Sequence, residues 1–245
     1  MNKKIKKFNA FTLAEVLITL GVIGVVAAMT LPTLIHNYKK SVVENKIKSM
    51  YTIISNAVRM SEAKYGEMAE WDRCGTESSY ECSQKILGKY IMPELSFSKI
   101  CGQDNKDECW TPPYSLSGLT GTLPQEDKAI TAILNNGTSL YMWAGSQYTS
   151  SPNIWIFFDI DGHKKGVNMH GADIFGMQVN YNSTFEKSGV WMNPLAIRNI
   201  DEDYVRNTSK YGCSKEINNV YAGYYCGGLI QLNNWKIPDD YPVKF

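Results

Sequence analysis

Lys3-Lys4-Ile5-Lys6-Lys7-Phe8-Asn9-Ala10 leads into Phe11-Thr12-Leu13-Ala14-Glu15, and residues 16–35 then continue for 20 positions without a formal charge. As a helix, residues 11–35 measure roughly 37 Å at about 1.5 Å per residue, enough to cross a hydrocarbon core of about 30 Å with some tilt. The lysines lie ahead of this stretch and only Lys39 and Lys40 follow it closely, so the short N-terminal end is expected to stay cytoplasmic and the remainder to lie outside. Glu15 is the one charge in the span. A carboxylate near the centre of a membrane helix costs about 2.5–3.5 kcal/mol on insertion scales, and less toward an end, which implies a partner or a use for it.

Two plainer readings compete. A secretory signal peptide would combine the basic start with an apolar stretch over 16–25 and the small residues Val26-Ala27-Ala28, with a cut before Met29 that releases a soluble binding protein or hydrolase. An uncut signal anchor uses the same residues. Neither accounts for Glu15.

The lysine-rich leader, Ala10, Phe11-Thr12-Leu13-Ala14-Glu15 and the following apolar run resemble the N-terminal signal of type IV pilins and type II secretion pseudopilins. The resemblance implies a leader of residues 1–10, removed by a prepilin peptidase between Ala10 and Phe11, with N-methylation of the new terminal Phe11. It implies that Glu15 fills the place of the family's acid five residues into the mature chain, and that the chain is a filament subunit, partnered by other such subunits and an inner-membrane assembly platform. Ala10 stands where that family most often has glycine, so slower processing is expected. The paired-charge role is physically coherent, because an acid neutralising a neighbouring subunit's terminal amine turns a buried charge into a buried pair. Gly21, Gly24 and Ala28 permit close helix approach. Pro32 removes a backbone donor and is expected to kink or open the helix, and in the resembling filaments the segment from Gly24 to Pro32 can unwind.

Past Pro32 the pattern becomes amphipathic. Val43, Ile47, Met50, Ile54 and Ala57 recur at spacings of four and three, while Lys40, Glu44, Lys48, Ser55, Arg59 and Glu62 fill the wet side. Glu44 and Lys48 form a favourable four-apart pair, and Gly66 after Lys64 marks a stop. The expected organisation is a leader over 1–10, a transmembrane segment over 11–35, an amphipathic half over 36–65, and a globular head over 66–245. The fold class is α+β, with a long N-terminal helix packed on an antiparallel sheet in a pilin-like arrangement. Strands are expected over 138–143, 154–160, 174–180 and 221–232, and helices over 81–90 and near 126–134.

Six cysteines, Cys74, Cys82, Cys101, Cys109, Cys213 and Cys226, all fall in the exported part and read as disulfides with 15 possible connectivities. Local closure favours Cys74–Cys82, Cys101–Cys109 and Cys213–Cys226. A zinc site lacks close cysteine pairs and has only His36, His163 and His170 to add. Phe158-Asp159-Ile160-Asp161-Gly162 through Asn168 to Asp173-Ile174-Phe175 resembles a loop of pseudopilin-like heads. Asp159, Asp161, Asn168 and Asp173 supply the hard oxygens that calcium takes, although the EF-hand template fails, with Phe157 and Asn168 at its first and last places. The plainer reading is a turn in which Asp and Gly satisfy the backbone.

Catalysis finds little footing. The sequence has no Gly-x-Ser-x-Gly, His-Glu-x-x-His, phosphate loop or Gly-x-Gly-x-x-Gly, and Asp159 with Asp161 sit two apart in one turn. Nor is nucleic acid indicated: 25 basic residues face 24 acidic ones, and setting aside the four leader lysines leaves 21 against 24. The 15 tyrosines and six tryptophans equip the surface for protein or glycan contact, though most belong in a core. Glycosylation acceptor triplets begin at Asn136, Asn182 and Asn207.

Overall fold

The computed structural model describes residues 12–74, 79–121, 127–145, 153–180 and 187–245. The leader, the Ala10–Phe11 bond, the start of the helix expected near 126 and the triplet at Asn182 lie outside these. The chain forms two compact units that meet between Ser41 and Val42.

Helix α1, Leu13–Tyr65, runs 53 residues without a break, Pro32 included. The local opening expected at Pro32 is therefore not seen, because one missing donor leaves the surrounding ladder intact. Within the first unit its apolar residues have no cover: Leu17, Ile18, Leu20, Ile23 and Leu34 are each more than 60% exposed. The hydroxyls turn inward on the helix's own carbonyls, Thr19 Oγ1 to Val16 and Thr30 Oγ1 to Val26, both at 2.9 Å. That is what an apolar surrounding demands of polar groups. The helix is long and apolar enough to span a membrane or to act as a signal sequence.

In the second unit α1 buries Ile47, Met50, Ile54, Ala57, Val58 and Ser61 at helical spacing. Gly66, at φ +84, ends it as expected, its amide donating to the Glu62 carbonyl at 3.0 Å. Glu44 corrects the sequence reading. It is buried rather than on the wet side, and its carboxylate accepts from Lys236 Nζ at 2.8 Å and from the Ile237 amide at 2.9 Å. The sequence offered Lys48 as its partner; the fold supplies the C-terminal tail, 192 residues away.

The sheet is a six-stranded antiparallel meander in chain order: β1 Phe97–Cys101, β2 Ile130–Leu134, β3 Ser139–Ala144, β4 Ile154–Asp159, β5 Ile174–Asn180 and β6 Gly189–Met192. Strand alternation sorts its side chains. Ala132, Leu140, Met142, Ile156, Phe158 and Met177 form one buried, mostly aliphatic face, and Tyr141, Trp143, Trp155 and Phe157 the other, aromatic one. The aromatic face meets Trp110 and Tyr224, with centroids 5.5 Å from Tyr141 and 5.0 Å from Phe157.

Two expectations fail. The helix expected near 126–134 is not formed in its described part: Ile130-Thr131-Ala132-Ile133-Leu134 is a strand that hairpins onto β3 through Gly137 at φ +86, and β-branched residues suit the pleat. The segment 221–232 is not a strand. It ends in helix α4, Cys226–Leu232, because Gly227 and Gly228 lie close against β6 and the turn after it. A Cβ on Gly227 would fall 2.4 Å from Met192 Cε, and one on Gly228 2.4 Å from the Asn193 carbonyl oxygen. The helix expected over 81–90 is α2, Ser79–Ile86, followed by one wider turn over Leu87–Ile91. A short α3, Glu202–Asn207, is capped by Asp201. In the full chain held in detergent, Glu44→Ala should lower stability to urea by about 1–3 kcal/mol, since it strands the buried Ile237 amide; an unchanged midpoint would show that the tail docks without it.

Candidate functional site

At its N-terminus α1 carries a feature the sequence reading passed over. Thr12 and Glu15 bond reciprocally: the Thr12 amide and Oγ1 both donate to Glu15 Oε2 at 2.8 Å, and the Glu15 amide donates to Thr12 Oγ1 at 3.2 Å. This is a capping box, readable in advance as Thr-x-x-Glu before an apolar run. It gives Glu15 partners within its own chain, where the sequence suggested only a partner outside it. Gly24 lies in open space along the helix, with nothing within 4 Å of where a Cβ would stand.

The acid loop joins β4 to β5. Asp159 is paired across the sheet with Ser139 on one side and Ile174 on the other. Its Oδ1 accepts the amides of Asp161 at 3.2 Å and Gly162 at 3.0 Å, and Gly162 takes φ +95. Asp173 Oδ1 accepts the Met169 amide at 2.6 Å. Asn168 Nδ2 donates to the His163 carbonyl at 3.1 Å. The turn reading is thus satisfied, yet it leaves oxygens over. Asp159 Oδ2, Asp161 Oδ1 and Asn168 Oδ1 are buried and take no bond from a donor, although the Asp159 and Asp161 carboxyls lie close enough to share a proton. Burial raises the Asp159 carboxyl to about 8, helped by Asp161 and Asp173, and raises Asp173 to about 7.

Among the described residues no three Asp, Glu, His or Cys side chains converge as a metal cluster. A cation here would therefore need the Asn168 amide oxygen in addition to carboxylates, a donor set calcium accepts.

Ser139, on β3, was not singled out, and it meets His163 of the loop. Ser139 Oγ lies 3.1 Å from His163 Nδ1 and accepts the His163 amide at 3.2 Å. Both residues are buried, and burial holds the imidazole below its ordinary range. The contact fastens the loop and offers no open nucleophile. His170 is wholly buried against Phe157 and Tyr224 and is pushed down to about 3 by that burial, so it is neutral packing.

All six cysteines are joined, as Cys74–Cys82, Cys101–Cys109 and Cys213–Cys226, with Cα separations of 5.4, 6.1 and 4.8 Å. These are the three short-loop pairs that local closure favours. Gly145, at φ +101, lies so close to the first bridge that a Cβ would come 2.5 Å from Cys82 Sγ.

The chain belongs to a family of unknown function, DUF6613. The family's profile covers residues 33–112 and 122–245. It therefore covers most of the head and the α1 half that builds it, and starts within the last three residues of the apolar segment, leaving Glu15 outside. No curated protein and no solved structure matches the chain.

The raised acid pair sets a pH dependence. A carboxyl whose folded pKa exceeds its unfolded one stabilises the protein when protonated, and that stability is lost as pH rises from about 4 to about 8. Thermal melts in a chelator should show a midpoint falling over that window, and Asp159→Asn should flatten the fall. An equal fall in the variant would remove the carboxyl as its source.

Proposed function

We propose that the protein is a membrane-anchored structural subunit of a pilin-like or pseudopilin-like filament, not an enzyme. The observation that carries this is α1 itself: one helix whose first half exposes apolar side chains along its length and whose second half builds the core of a disulfide-linked head. A surface of that kind needs lipid or other apolar helices around it. Before assembly the first half spans the inner membrane once, with the head outside; in the filament it packs among the same halves of other subunits, in the periplasm or beyond the cell. Prepilin peptidase, neighbouring subunits and the assembly platform are its partners. Glu15 registers an incoming subunit against a neighbour's freed amine, and does so by exchanging the bonds it makes with Thr12.

Processing decides between this reading and a released binding protein or hydrolase. The N-terminus of the mature chain should be methylated Phe11; Met29 would mean ordinary signal peptidase and a soluble product. Glu15→Ala should leave membrane insertion intact and abolish most entry into filaments, whereas Thr12→Val, which removes the side-chain half of the cap and keeps the acid, should retain entry. Equal defects in the two variants would reduce Glu15 to a helix cap.

We also propose calcium as the ligand of the acid loop, supported by the three buried oxygens of Asp159, Asp161 and Asn168 that take no bond from a donor, with Asp173 beside them. Millimolar calcium at pH 8 should raise the thermal midpoint of the wild-type chain and not that of Asp161→Asn. No change in the wild type would leave the loop as a turn alone.

A further inference from the structure

At one end of the sheet, buried amides stand among indoles. Register places Trp143, Trp155, Gln178 and Trp191 in one row across β3, β4, β5 and β6, and residues directly opposite one another share a face. The row is firmly held. Trp143 and Trp155 stack at 5.7 Å with their planes 2° apart, Trp191 Nε1 donates to the Ser188 carbonyl at 2.9 Å, and Lys187 Nζ lies 4.2 Å over the Trp191 ring. Gln178 is buried in the place between Trp155 and Trp191, whose backbones are two strand spacings, about 9.5 Å, apart. Both of these indoles are half-buried, so the row keeps part of its surface in solvent.

The next row outward is polar. Beyond the Ile154–Val179 pair come Asn153 and Asn180, and the Gly145 amide donates to the Asn153 carbonyl at 3.1 Å, so pairing reaches this far. Strand alternation puts Asn153 on the face of Trp155 and Asn180 on that of Gln178. Asn180 is wholly buried, and neither its Oδ1 nor its Nδ2 has a hydrogen-bond partner among the described residues. Asn153 is 8% exposed, and its buried Oδ1 has none either. Open buried amides cost free energy, and the ladder around them closes without their side chains. Space lies next to them. Gly189 is the register partner of Asn180, and among the described residues a Cβ there would find only Trp191 Nε1, at 4.0 Å. Gly189 is itself half-buried, which opens that side to solvent.

We infer that Asn153 and Asn180, with Trp155, Gln178 and Trp191 around them, bind a pyranose sugar that enters beside Gly189. The donor set selects that class. An amide offers both donors and an acceptor, and a sugar hydroxyl gives and takes a bond, so uncharged amides serve hydroxyls without a counter-charge. The C–H face of a pyranose is apolar and packs on indole, and a few placed polar groups within an aromatic wall are the usual make-up of a ligand site. A peptide strand fits less well, because β4 and β5 are inner strands with their backbones already paired, and main-chain recognition needs an open edge. Phosphate fits less well too, since the amides carry no charge and Lys187 lies over the Trp191 ring. The site lies wholly within the second unit and does not depend on what surrounds the first half of α1.

The full chain, held in a detergent without a sugar headgroup and detected by antibody, tests this on an array of immobilised saccharides. It should bind a subset of pyranose-bearing glycans, and the same saccharide free in solution should compete. Asn180→Leu, which keeps the shape and removes the open amide, should weaken binding by about tenfold or more, while its thermal midpoint without sugar holds or rises. Asn153→Leu, at the more open position, should do the same. Binding to no glycan on the array would overturn the site, as would wild-type binding by either variant once folded. A midpoint lowered in both variants would make the amides structural groups and overturn it as well.

Discussion

The structure depends on one helix meeting two different surroundings. From Leu13 to Ile35 α1 offers apolar side chains that its own unit leaves uncovered, and from Ile47 onward it contributes a buried stripe to the head. Water tolerates scattered exposed apolar residues but not a continuous cylinder of them. The first half is thus long and apolar enough to span a membrane or to act as a signal sequence, and the second half could not leave the head without opening its core. Every other device in the head is arranged so that the second half stays in place: Glu44 takes the C-terminal tail by Lys236 and Ile237, Lys46 takes the loop carbonyl of Ile160, and Gly66 ends the helix where Trp71 and Tyr90 stack at 4.4 Å.

What could be read in advance was whatever is encoded by spacing along the chain. The apolar run, the amphipathic stripe, the stop at Gly66 and the strands close to 139–144, 154–159 and 174–180 all show themselves as local periodicity. The failures share a cause. Residues 221–232 have the aromatic and apolar character of a strand, but Gly227 and Gly228 are dictated by the approach of Met192 and Asn193, which no local pattern reports. Glu44 looked solvated because its neighbour Lys48 offered a pair, while its real partner comes from the far end of the sequence. The edge strands β1 and β6 went unread since they are short, and β1 exposes Ser98, Lys99 and Ile100, which blurs the alternation.

The candidate site divides along the same line. Asp159, Asp161, Asn168 and Asp173 could be named from the sequence because the chain places them in one loop. That three of their oxygens end up buried and without a bond from a donor depends on Ser139, His163 and the strands around them. A turn needs its aspartates only as acceptors for backbone amides, and Asp159 Oδ1 and Asp173 Oδ1 already do that work. The leftover oxygens are in excess of what a turn requires, and buried excess acceptors cost free energy unless a proton or a cation meets them.

Glu15 shows the opposite economy. Its Oε2 is met by Thr12 within the same chain, so part of the acid's hydrogen-bond demand is already met and the exposed helix end is closed locally. Any partner from outside must then improve on bonds already made. A neutral donor such as a hydroxyl offers no gain over the Thr12 pair, whereas a full positive charge does, because it adds ion-pair attraction to a bond that the carboxylate already makes charge-assisted. The capping box thus filters its partners: it holds the helix end closed against ordinary polar groups and yields only to a cation.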